Sequence, residues 1–213
     1  VNCYEWLSFN VGPTLLEWLE HAAPDTYALL LEADRTSAAR LGHGNAMAMP
    51  YHHAILPLST RREKTTEVRW GIADFRRRFG REPEGMWLPE TAVDEETLDV
   101  LAQEGIRFTI LAPHQVDPLP PGGLPGLVRT ASGRSIAVFP YDGPISHDVA
   151  FGPLVRDGMA WSARLLEQRP GATPPATPAG GGTPPRAAAR RWRCWSGRRG
   201  GTGGCQAARS AGG

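Results

Sequence analysis

Apolar positions recur in two alternating rhythms along the first 169 residues of the 213-residue chain. Val68, Ile72, Phe75 and Phe79 fall at helical spacing, with Gly80 where a C-terminal cap belongs. Gly85-Met86-Trp87-Leu88 follows and reads as a short strand. Asp94 then caps a helix carrying Leu98, Leu101 and Ala102, which Gly105 stops. The next strand is RFTIL, residues 107–111, with β-branched and aromatic side chains. Upstream, Leu15, Leu16 and Leu19 follow Gly12-Pro13 and predict a helix with Pro13 in its first turn. HHAILPL (52–58) and SIAVFP (135–140) read as two further strands. Strands separated by one helix each argue for parallel βαβ units in an α/β fold.

From Pro170 onward the pattern stops. That segment has seven arginines, no acidic residue, and no Leu, Ile, Val, Met or Phe. Two readings account for it. A chain so poor in apolar side chains cannot offset its ordering entropy, which predicts a flexible basic tail over 170–213. The preferred reading is a shifted frame in a GC-rich gene. Moved back by one base, the junction of Cys194 and Trp195 must encode leucine, and its neighbours allow the helix-like string Met-Ala-Leu-Leu-Glu-Arg.

Removing the tail changes the charge picture. The whole chain carries a net +1, but residues 1–169 hold 16 basic and 22 acidic side chains, a balance of −6. The body is therefore mildly acidic, with no phosphate-binding face, so no nucleic-acid partner is expected. No run approaches the roughly 18 apolar residues of a membrane span, and Val1-Asn2-Cys3 lacks the order of a secretory signal. The missing initiator Met points to a chain that begins inside a longer one. Cys3, Cys194 and Cys205 show no paired spacing, so neither a disulfide framework nor a metal knuckle is expected, and a reduced cytoplasmic setting is the default.

Chemistry concentrates at GMWLPE, residues 85–90. In a (β/α) barrel, reacting side chains project from the C-terminal strand ends, and Glu90 has that address. Trp87, three residues earlier, would supply a flat apolar surface for a sugar ring. The alternative is that Glu90 only caps the following helix, where a negative charge suits the helix N-terminus.

The motif EGMWLPE resembles the nucleophile motif of glycoside hydrolase family 57, whose members act on α-glucans by a retaining mechanism. FNVGPTLLEWLE (9–20), GHGNAMAMPYHHAILPL (42–58) and FPYDGPISHDVAFG (139–152) resemble the branch of that family carrying a domain of unknown function. The resemblance covers residues 1–169 and implies an incomplete (β/α)7 barrel, present here as a fragment. It makes Glu90 the nucleophile, and it makes His43, Asn45 and His53, with Trp87, residues of the sugar-binding cleft. No metal and no cofactor is implied; the partner is an oligo- or polysaccharide.

Retaining hydrolysis needs a second carboxyl group about 5–5.5 Å from the first. In the family this acid lies in a later Asp-Gly-Glu motif, which this sequence lacks. Its place coincides with the Gly/Pro/Arg tail, and the family's opening His-containing motif is missing too. The expectation is a fragment that cannot complete a turnover alone. Asp142 in FPYDG is a substitute acid only in outline, since Asp-Gly is an ordinary turn pair.

Strand alternation over 52–58 would send His52 and His53 to opposite faces, leaving His52 as a packed or surface residue. Met49 stands where relatives should carry a polar residue. A metal-dependent polysaccharide deacetylase is the different-class enzyme alternative. It needs an Asp-Asp pair and a His-x3-5-His spacing, neither of which is present. A non-catalytic carbohydrate-binding or assembly module is the third reading.

Overall fold

A computed structural model describes residues 2–117, 119 and 124–167, with the pairs 192–193 and 206–207. The expected flexible or out-of-frame tail therefore lies almost wholly outside the described residues. Its described part is a two-residue antiparallel pairing of Trp192–Arg193 with Gln206–Ala207.

Among the described residues, five strands and six α-helices make up the body. β1 (Phe9–Asn10) is followed by α1 (Pro13–Ala22) and α2 (Pro24–Leu41). β2 (Ala46–Met47) precedes α3 (Arg61–Phe79). α4 (Glu95–Gln103) leads to β3 (Phe108–Leu111), β4 (Gly126–Arg129) and β5 (Ser135–Pro140). α5 (Gly143–Phe151) and α6 (Gly158–Glu167) close the described body.

The predicted helices form where their local signals lie. Pro13 opens α1 behind an extended Gly12. α3 starts on a capping box in which Thr60 and Glu63 exchange bonds, and it ends on Gly80 in the left-handed region, at φ 68°. Asp94 caps α4 by accepting from Thr97 N–H. Because Asp94 holds that place, Glu90 is not the cap of α4.

β1 and β2 pair in parallel, and so do β3 and β5. The Gly85–Leu88 segment joins the two pairs through parallel bridges, Ala48 to Met86 and Gly85 to Phe108. Its ladder includes Trp87 N–H donating to Ala48 O at 2.8 Å and Met86 N–H donating to Phe108 O at 3.1 Å. β4 lies antiparallel on the outer edge of β5. This corrects the one-helix-per-strand expectation: among the described residues between β3 and β5, the chain forms a 3-10 turn and the antiparallel strand β4, with no α-helix.

A second correction concerns 52–58, which is not a strand. It is a loop ending in a 3-10 turn, Leu56–Leu58. Pro57 has no N–H for a ladder, and Leu58 points into solvent at 86% exposure while Leu56 is buried.

One face of the sheet builds the core. Met86, Leu88, Leu111, Ile136 and Val138 pack with Val68, Ile72 and Phe75 of α3 and Leu98 and Leu101 of α4. Alternation sends Trp87 and Phe139 to the other face, where both keep solvent access. α2 escaped the sequence reading because its buried positions are Leu30, Ala33, Asp34 and Ser37, a mixed and mostly small or polar face. No helix among the described residues is long and apolar enough to cross a membrane.

Candidate active site at the C-terminal strand ends

The parallel strand segments all end on one side of the molecule. Asn10, Met49, the Pro89–Thr91 turn, Pro113 and Tyr141 mark that rim. Glu90 sits at its middle, immediately after Leu88 and the buried Pro89.

The backbone there is unusual. Glu90 has φ 56° and ψ 17°, and Thr91 has φ 51°. Both lie in the left-handed region, where a β-branched residue such as Thr is a clear outlier. The conformation costs roughly 1–2 kcal/mol per residue and persists only where surrounding bonds require it. Thr91 N–H donates to Leu88 O and Ala92 N–H to Pro89 O, each at 3.0 Å, closing the turn. Gln115, from the 3-10 turn Pro113–Gln115 after β3, donates from Nε2 to Thr91 O at 2.8 Å. The same amide accepts Ala112 N–H at Oε1, 2.9 Å away.

Glu90 is presented outward, with its side chain 73% exposed, and His53 Nε2 lies 3.1 Å from Glu90 Oε1. A carboxylate only accepts, so this contact needs a proton on Nε2, as in that tautomer or the imidazolium. His53 is aimed by the loop that carries it. Glu67 on α3 accepts Tyr51 N–H at its backbone carbonyl (3.1 Å), and its carboxylate takes His52 N–H and His52 Nδ1, each at 2.9 Å. Gly71 lets α3 come this close: a Cβ there would collide with the Met49 carbonyl oxygen. His52 is thus the anchor and His53 the group that reaches the rim.

The remaining sequence candidates do not gather there. Asn45 and His43 precede β2, at the N-terminal side of the sheet. With Ala48 level with Met86, Asn45 lies below Glu90 by some seven residues of strand, roughly 20 Å along the sheet. Asn45 is buried, donating from Nδ2 to Tyr4 O at 3.2 Å and from its backbone N–H to Ser37 Oγ at 2.9 Å. It fastens the chain start to β2, and His43 is exposed beside it. Trp87 is half-buried on the face opposite the core helices α3 and α4, three residues below Glu90. Met49 is buried at the rim, with Asn10 Nδ2 on its sulfur at 3.0 Å.

Asp142 follows β5 at the same rim but two strands away, about 10 Å by strand spacing. Its carboxylate accepts Ile145 N–H at 2.8 Å and caps α5. Among the described residues, no three His, Cys, Asp or Glu side chains converge as a metal site would require.

Gln115 was not singled out from the sequence. Its signal was the Pro113-His114-Gln115 order after β3, a proline at the first turn position with Gln two residues on, which marks a capped turn.

Residues 6–169 match the sequence profile described as glycosyl hydrolase family 57. Among solved structures, a 4-α-glucanotransferase from Thermococcus litoralis is similar at a TM-score of 0.62 and 21% identity, covering 80% of this chain and 26% of that one. An exo-type maltose-forming amylase from Pyrococcus sp. ST04 is similar at a TM-score of 0.60 and 20% identity, covering 69% of this chain and 24% of that one. The chain thus spans about a quarter of the length of each of these two structures. No curated protein sequence matches it.

Proposed function

Because the chain belongs to glycosyl hydrolase family 57, we propose that it carries the nucleophile half of a retaining active site for α-glucan-type oligo- or polysaccharides, with Glu90 as nucleophile. The observation that carries this reading is Glu90 itself: a carboxylate held out at the C-terminal rim on a left-handed turn, with His53 at 3.1 Å. A group so placed can attack an anomeric carbon from one side of the sugar ring, forming a glycosyl ester as the leaving-group bond breaks.

His53 contributes a hydrogen bond that orients one carboxylate oxygen and leaves the other to react. Trp87 offers an apolar face near the base of the turn. His43 and Asn45, at the far side of the sheet, are left out of the proposed site. The α-glucan substrate class is supported by the glucanotransferase and the maltose-forming amylase among the structural relatives.

An activated 5-fluoro-α-glucosyl fluoride tests the reading without a general acid, because fluoride departs unprotonated. Glu90 Oε would bond to the anomeric carbon, the C–F bond would break, and the ester would persist for mass spectrometry. Label on Glu90, and none in Glu90→Gln, is the expected result; label on another residue sinks the assignment. Natural glucans, whose alkoxide leaving groups need a proton, should not be turned over by the 213-residue chain. Measurable release of reducing sugar would overturn that expectation.

A further inference from the structure

We propose that Gln115 is the positioning residue that keeps the Glu90 turn left-handed and so aims the carboxylate; the inference rests on Glu90 being the nucleophile. The bond from Ala92 N–H to Pro89 O does not choose a hand, since a four-residue turn of either sense can close it. For a Glu-Thr pair the right-handed sense is the easier one. The two senses differ in where the central carbonyls point, and Thr91 O points at Gln115 Nε2, 2.8 Å away.

The amide of Gln115 cannot rotate to suit another partner. Its Oε1 takes Ala112 N–H at 2.9 Å, and exchanging oxygen for nitrogen would set donor against donor and acceptor against acceptor. Ala112 is buried at the end of β3, so the clamp is referred to the sheet. The Glu90 turn is thereby held by the neighbouring βα loop. Relaxing it would swing the Glu90 Cα–Cβ bond and break the contact with His53 Nε2.

The test uses the 213-residue chain and two variants, Gln115→Met, which keeps the shape and loses both bonds, and Gln115→Glu, which keeps the acceptor for Ala112 N–H and loses the donor above its carboxyl pKa. Two quantities are read. The three-bond HN–Hα couplings of Glu90 and Thr91 report the hand of the turn, and labelling by the activated fluoride gives a maximal rate and a half-saturating concentration.

In Gln115→Met the couplings should move to right-handed values. The maximal labelling rate should fall on the order of 10–100-fold, the scale of a misplaced reacting group, while half-saturation stays within about twofold. Unchanged couplings in a folded Gln115→Met overturn the proposal, as does a fall in apparent affinity with an unaltered maximal rate. If Gln115→Met does not fold, Gln115→Glu decides by the same couplings at neutral pH. Couplings that shift in the variants, with wild-type label on a residue other than Glu90, would retain the clamp and discard the nucleophile.

Discussion

His53 and Glu90 are both more than half exposed, at 63% and 73% of their side chains, so their contact contributes at most about 1 kcal/mol to folding. His53→Ala should therefore leave the melting temperature within about 4 °C. Its effect should appear in chemistry, as a labelling rate lower by roughly 10-fold through loss of one orienting bond. Equal labelling in His53→Ala and wild type would make the contact incidental. The place of Glu90 at a strand end was legible because a short apolar run ends directly before it. The conformation at 90 and 91 was not legible. Neither Glu nor Thr favours the left-handed region, and the bond that requires it comes from Gln115, on another loop.

The elements are held together largely by carboxylates. Asp99 of α4 accepts from Ser132 and Thr130 in the β4–β5 turn, from Arg134 at 3.1 Å and from Arg61 of α3 at 2.8 Å. Burial alone would raise its pKa; the bonds from Ser132, Arg61, Thr130 and Arg134 together outweigh that and hold it well below the usual carboxylate range. For Asp94, burial likewise pushes upward, and Lys64 with Thr97 prevails and lowers it. A carboxyl depressed in the folded state binds its proton more readily once unfolded, so its stabilisation is full above the unfolded value and lost as the pH falls. Stability should decline from about pH 4 downward, checked by urea unfolding across an acid series. Asp99→Ala should cost on the order of 1–2 kcal/mol, since the buried Thr130 hydroxyl then loses its acceptor while the half-exposed Arg61 and Arg134 stay hydrated, and the acid dependence of that variant should flatten. Unaltered acid sensitivity in Asp99→Ala would assign the loss elsewhere.

On the scale of the whole molecule, the proposed site and a buried ion pair lie on opposite sides of the sheet. The C-terminal rim carries His53, Glu90 and Gln115; the N-terminal side carries Asp34, 2% exposed, in a bidentate pair with Arg81 at 2.6 and 2.8 Å and accepting Ala46 N–H at 2.7 Å. Barrel folds separate chemistry from stability in the same way. Arg81→Ala leaves a buried carboxylate without its cation and should cost about 3 kcal/mol, a fall of roughly 10 °C in the melting temperature. Below that melting range, its rate of Glu90 labelling should stay within about twofold of wild type. A large loss of labelling in the folded variant would show that the two sides are coupled.

Local signals sufficed for α1, α3 and α4, whose apolar spacing, caps and terminal glycines lie within a few residues of one another. Family membership was also legible in separated motifs. Three features depended on contacts between distant segments. α2 hides a polar face because Asp34 and Ser37 find partners at Arg81 and Asn45, 47 and 8 residues on. The run 52–58 is apolar yet looped: Glu67 of α3 takes the backbone N–H groups of Tyr51 and His52 at its start, and Pro57 with the 3-10 turn closes its end. His43, Asn45 and His53 sit close in sequence, but β2 runs between them and carries the first two away from the rim. Spacing along a chain specifies which face a side chain takes; only the direction in which a strand enters the sheet decides which end of the molecule it serves.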